Sequence, residues 1–280
     1  MCKGPRMVTP TTYTPHSVEG NLSSPMLAIV RMIPYALLTL VLIPVQLLAN
    51  GLRLPLRKTL PRFYHRLVCN IMGIHIRRYG NISRTSPTLF VANHSSYLDI
   101  EILGAILPAS FIAKDEISDW PGFGFLAKLQ RSVFIDRSRR TLAEQTHAIH
   151  ERLKARENLI LFPEGGSYTG LHLHPFRSSL FAVAQDKTLK QPLVIQPITV
   201  VYDQLDGCPL GRNWRRFYSW NGVPSLFRHM FFAAGLGTLG IKIFFHTSRT
   251  IHDYDGDRKA LCASCFNDVQ NSLSQALAGR

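Results

Sequence analysis

The residues best suited to chemistry lie in the run Asn93-His94-Ser95-Ser96-Tyr97-Leu98-Asp99, where a histidine and an aspartate are separated by four residues. On one continuous helix five steps turn through ~500°, so the two side chains would not share a face. If His94 instead ends a strand and Asp99 opens the following helix, the carboxylate accepts from one imidazole nitrogen. That contact fixes the tautomer and raises the basicity of the other nitrogen. Such a dyad deprotonates a substrate hydroxyl directly and needs no Ser, Thr or Cys nucleophile. The bland reading is a helix cap, for which Ser95 and Ser96 suffice. A second cluster is Leu161-Phe162-Pro163-Glu164-Gly165-Gly166-Ser167. It places a carboxylate and several backbone N–H groups in one turn, suited to holding an oxyanion or the polar head of a substrate. Its bland reading is an ordinary glycine turn.

Other chemistries fit less well. Gly165-Gly166-Ser167-Tyr168-Thr169 lacks the final glycine of a G-x-S-x-G nucleophile elbow. His172 and His174 alternate on a short extended run, the pattern of side chains facing solvent more than of a metal pair. The five cysteines are scattered, and Cys262-x-x-Cys265 has no second pair, so neither a disulfide framework nor a metal site is expected.

The elements that must position these residues alternate. Strand-like runs cover Ile74–Arg78, Thr88–Ala92, Ser110–Ala113, Ser132–Asp136, Asn158–Phe162, Leu193–Tyr202 and Ile241–His246. Helical patterns cover Tyr97–Leu107, Phe123–Leu129, Thr141–Arg156, Ser178–Asp186 and Arg258–Ala278, the third with Leu142, Thr146, Ile149 and Leu153 on one face. The expected fold class is α/β, a mixed sheet flanked by helices, behind an N-terminal membrane-associated helical segment. Both VANH and LFPEGG end strands. Ligands in such sheets sit at strand ends, so the two segments are expected as neighbours.

Charge and hydropathy place the chain at a lipid surface. The formal net charge is +14, and Asn21 to Leu98 holds no Asp or Glu. A field of that sign attracts nucleic acid, anionic head groups or an acidic protein. Met32 to Leu52 is uncharged, close to the ~20 residues that cross a hydrocarbon core, although Pro34 and Pro44 leave a re-entrant or shallow helix open. Arg53, Arg57, Lys58, Arg62, Arg66, Arg77 and Arg78 follow it, so the catalytic part is expected on the cytoplasmic side of the inner membrane. Residues 1–25 read as a disordered tail, 26–70 as a membrane-anchoring helical segment and 71–280 as one folded domain. Arg215 to Trp220 interleaves arginine with aromatics as nucleic-acid binders do. Beside FRHMFFAAGLG it reads instead as an interfacial patch, and no nucleic-acid partner is expected.

Four segments in order, NHSSYLD, Phe134-Ile135-Asp136-Arg137, Phe162-Pro163-Glu164-Gly165 and Val194-Ile195-Gln196-Pro197-Ile198, resemble the motifs of the glycerolipid acyltransferase superfamily, the 1-acylglycerol-3-phosphate acyltransferase-like enzymes. The resemblance covers about Arg77 to Val201. It implies an O-acyltransferase with His94 as general base and Asp99 orienting it. Asn93, Arg137, Glu164, Gly165, Gly166 and Ser167 would bind substrate. The resemblance calls for no cofactor and no metal: the acyl group arrives as a thioester of acyl carrier protein or coenzyme A, and the basic surface suits the acidic carrier protein. Two departures stand out. Arg131 occupies the usual glycine of the second motif, and Ser167 stands where phosphate-acceptor members carry arginine. The run from Gly165 to Phe181 and LDGCPLGR at 205–212 resemble the lyso-ornithine lipid acyltransferase branch, which implies a lyso-ornithine lipid acceptor. Lysophosphatidate is the alternative acceptor, and a basic lipid-binding protein without turnover is the non-enzymatic alternative.

Overall fold

A computed structural model describes residues 22–135, 142–186, 188–189, 191–220 and 225–279. In chain order the elements are helix α1 (Pro25–Gly51), α2 (Leu56–Ile71), strands β1 (Ile74–Tyr79) and β2 (Thr88–Ala92), α3 (Leu98–Ile106) and β3 (Ala109–Lys114). Next come a 3-10 turn (Asp115–Asp119), α4 (Phe123–Leu129), β4 (Val133–Ile135), α5 (Leu142–Lys154), β5 (Asn158–Leu161) and a 3-10 segment (Ser178–Gln185). The chain continues through β6 (Val194–Leu205), the short β7 (Cys208–Pro209), α6 (Arg212–Arg215), α7 (Leu226–Ala234), β8 (Leu239–Phe245) and α8 (Arg258–Leu277).

The sheet runs β1-β8-β6-β2-β5-β3-β4, with β7 paired to the end of β6. Every pairing along that path is parallel except β6 with β8, so the sheet is mixed. Its centre is buried on both faces, as a sheet covered by helices requires. On β2 the two-residue alternation divides the core. Phe90 and Ala92 join the layer with α1, α2, α3 and α7, whereas Leu89 and Val91 join the layer with α5 and α8. On α5, Ile149 and Leu153 of the expected stripe are buried in that second layer. Ser178–Gln185 forms a 3-10 segment where the apolar pattern suggested an α-helix.

Helix α1 is the one helix, among the described residues, long and apolar enough to cross a membrane. It nevertheless lies along the domain. Near its start the buried Arg31 donates to the carbonyls of Ala234 (3.1 Å), Leu236 (2.6 Å) and Gly237 (3.2 Å), at the end of α7. Near its other end Gln46 and Asn50 both donate to the carbonyl of Leu129 at 3.0 Å, the last residue of α4. Arg31 and Gln46 are about 22 Å apart along the helix, so both halves are fastened to the same body. The opposite face is bare: Ile33, Leu37, Leu40, Val41 and Leu48 are all more than half exposed.

Candidate active site

Strand β2 delivers His94 just past its last residue, and α3 begins at Leu98, so Asp99 stands in the helix's first turn. The two side chains meet across the loop between them. Nδ1 of His94 lies 2.9 Å from Oδ2 of Asp99. The same oxygen accepts the backbone N–H groups of Ser95 (2.7 Å) and Ser96 (3.0 Å), and Oδ1 accepts the Tyr202 hydroxyl at 2.8 Å. Asp99 is fully buried, while the imidazole remains 19% exposed. With three other donors converging on this carboxylate, the His94 hydrogen belongs on Nδ1, which leaves Nε2 with a free lone pair. Phe162 stacks on the imidazole, centroids 4.1 Å apart, and holds the ring's plane.

Parallel pairing of β2 with β5 brings the second cluster alongside, Val91 opposite Leu161. Glu164 is almost fully buried and bridges two loops. Its Oε1 accepts the backbone N–H of His94 at 2.7 Å and its Oε2 that of His174 at 2.9 Å. Burial pushes its carboxyl up to about 7, with the charge of Asp99 acting in the same sense and the two N–H groups opposing. Gly165 turns the chain at φ 81°, a left-handed conformation that glycine adopts without strain. Gly166 follows it, close under the Tyr168 ring. The Ser167 hydroxyl donates to the carbonyl of Trp220 at 2.7 Å. Asn93 pairs with Val200 in both directions, donating at 2.9 Å and accepting at 2.8 Å, and so fixes the exit of β2 against β6. Arg137 lies outside the described residues. Arg131 ion-pairs with Glu157, and Arg177 is exposed with its backbone N–H on the carbonyl of Pro163.

Sequence reasoning did not single out Tyr202 or the bracing ring of Phe162, and it placed Trp220 in an interfacial patch rather than at the site. Tyr202 reads as one more apolar residue of a buried strand. The backbone of Trp220 donates its N–H to the carbonyl of Ser95 at 3.0 Å and accepts from the Ser167 hydroxyl at its own carbonyl, clamping both site loops from beyond the motif region. The N–H groups of His94, Ser95 and Ser96 are taken by Glu164 and Asp99.

His94 opens onto a cavity of about 240 Å³. Its walls come from α1 (Met32, Ile43), α2 (Leu60, Val68), α3 (Ile100) and Trp220, a lining suited to an alkyl chain.

Residues 73–201 match the family model described as Acyltransferase. The chain is 36% identical over 247 residues to a lyso-ornithine lipid O-acyltransferase of Brucella abortus, covering 87% of this chain and 92% of that one. The chain belongs to the Acyltransferase family. This acyltransferase is also 35% identical to a lyso-ornithine lipid O-acyltransferase of Rhizobium meliloti, over 87% of the chain and 85% of the relative. In fold it is similar to the crystal structure of the 1-acyl-sn-glycerophosphate acyltransferase of Thermotoga maritima, with a TM-score of 0.64 at 14% identity, covering 89% of this chain and 96% of that one. It is thus an enzyme that transfers acyl groups, built on a mixed α/β sheet.

Proposed function

We propose that this acyltransferase moves a fatty acyl group from a thioester to the hydroxyl of lyso-ornithine lipid. The observation that carries this reading is the buried His94–Asp99 dyad opening onto an alkyl-lined cavity. Nε2 of His94 removes the proton from the acceptor hydroxyl as its oxygen attacks the thioester carbonyl carbon. The tetrahedral intermediate collapses, the C–S bond breaks, and the leaving thiolate takes the proton back from the imidazolium. Asp99 keeps the ring oriented and balances its charge during the step. For the oxyanion, the turn at Gly166 and Ser167 offers backbone N–H groups that donate to no described residue.

The lyso-ornithine acceptor is supported by the relatives' names and by Ser167, whose hydroxyl is spent on Trp220 where a phosphate-binding member would carry a guanidinium. The basic surface favours acyl carrier protein over coenzyme A as carrier of the thioester. The anchor is an interfacial helix on the cytoplasmic face of the inner membrane: α1, fastened at both ends, presents its apolar side to one leaflet. The test incubates the full chain in vesicles with labelled acyl thioester on each carrier, against lyso-ornithine lipid and lysophosphatidate separately. His94→Ala is expected to lose about 10² to 10⁴ in rate with an unchanged thermal midpoint. Near-normal turnover in that variant removes the dyad from the mechanism, and a tenfold preference for lysophosphatidate reverses the acceptor.

A further inference from the structure

The cavity beside His94 is not apolar throughout. Glu101, on the same helix as Asp99, reaches its wall, and so does His65 from α2. Oε2 of Glu101 is 2.6 Å from Nδ1 of His65, and Nε2 of His65 is 2.9 Å from Oε1 of Gln130. Both ring nitrogens thus have a partner, and the Glu101 carboxylate favours the protonated ring. Burial opposes that charge, but the Glu101 carboxylate and the two hydrogen bonds outweigh it, and the net shift of His65 is upward. Oε1 of Glu101 makes no hydrogen bond among the described residues, and its side chain keeps 16% exposure. The Tyr64 hydroxyl lies in the same field, pushed up to about 12 by burial and by the Glu101 charge, and is bonded to Oγ1 of Thr39 at 2.9 Å. A polar band therefore crosses a chamber otherwise fitted to methylenes.

A plain alkyl chain lying here leaves one carboxylate oxygen buried without a donor, a costly state for a charged acceptor. A chain carrying a hydroxyl at that depth supplies the donor. We propose that Glu101, held by His65, is a specificity-determining residue that accepts a hydrogen bond from a hydroxyl on the donor's acyl chain. This rests on the acyl-thioester reading above. The pair also pins α2 to α3, since the His65 ring packs so tightly on Gly104 that a Cβ there would come within 2.4 Å of it. That role explains Oε2 and the ring, but not the second oxygen, which has no donor among the described residues.

The test uses the full chain in vesicles and a series of acyl thioesters of one length, either plain or with a single hydroxyl moved along the chain. The expected result is one hydroxyl position whose kcat/KM exceeds that of the plain chain by about tenfold or more. Glu101→Gln, with its thermal midpoint measured alongside, should shrink that ratio severalfold. Wild-type enzyme that turns over plain and hydroxylated chains alike overturns the hydroxyl site and leaves acyl transfer standing. A preference that survives in Glu101→Gln removes Glu101 from it. Failure to use any thioester overturns the acyl-transfer reading and this site together.

Discussion

At the scale of single residues, the site is a set of hydrogen bonds converging on two buried carboxylates. Tyr202→Phe removes one of four donors from Asp99 and leaves the ring in place. Activity is expected to fall about three- to thirtyfold, through kcat more than KM, because a neutral donor to a carboxylate is worth about 1 to 2 kcal/mol. An unchanged kcat would mean that the other three donors suffice. Glu164 makes a prediction about pH. Its folded-state carboxyl, near 7, lies above the ordinary 4.5, so the native protein holds the proton more tightly than the unfolded chain does. Its contribution is greatest below 4.5 and declines as pH rises to about 7. Thermal midpoints between pH 5 and 8 should therefore decline less in Glu164→Gln than in wild type, and parallel curves would contradict the shift. His94 and Asp99 were legible in the sequence because five residues settle their geometry once a strand ends and a helix begins. Tyr202 was not: it meets Asp99 across 103 positions, and only the register of β6 on β2 brings it there.

At the scale of elements, the anomalous Arg131 finds its reason. It joins α4 to β4 at φ 65°, a left-handed position where glycine is at ease and arginine costs about 1 kcal/mol. The guanidinium offsets that cost by binding Glu157 at 2.7 Å. Glu157 also takes Arg152, as well as Lys58 of α2 at 3.1 Å. Burial pushes the Glu157 carboxyl up, but these three cations prevail and hold it at about 2. Its stabilisation is complete above pH 4.5 and is lost as pH falls toward 2. Arg131→Gly, trading ion pair for backbone ease, should move stability by less than about 1 kcal/mol and leave turnover alone. Glu157→Gln, which strands the cations, should lower it by about 2 kcal/mol. Chemical denaturation of both variants checks the pair, and equal losses would show that the backbone conformation carries no cost. Strands β2, β5 and β6 were readable because buried apolar runs between turn residues have few other folds. Helix α7 was not: Phe227, Phe231 and Phe232 suggested a lipid-facing patch, and the Ser225 cap that starts a helix there is a single hydroxyl.

At the scale of the whole molecule, the exposed apolar surface is extensive. To the bare face of α1 are added Phe63 and, around α7, Phe227 and Phe231. Soluble proteins rarely leave so much uncovered, and basic residues of α2 stand next to it. Leu37→Gln with Leu40→Gln and Val41→Gln changes three residues that are more than half exposed, so the fold should survive while sedimentation with anionic vesicles falls at least about tenfold. Retained binding would transfer the anchor to the aromatic residues of α7. The length and apolarity of α1 were plain in the sequence, but its orientation was not. That is decided by Arg31, whose partners lie more than 200 residues downstream.

The Arg31 clasp also orders events in time. The carbonyls it needs are made 203 residues after it, which at ordinary translation rates is a delay of about 10 to 40 s. Throughout that interval α1 has α2, and later α4, to pack on, but not α7. Under the interfacial placement proposed above, the bilayer takes up the helix first, and the rest of the body then closes onto a segment already at rest in lipid. On that proposal the membrane is a scaffold during synthesis as well as an anchor afterwards.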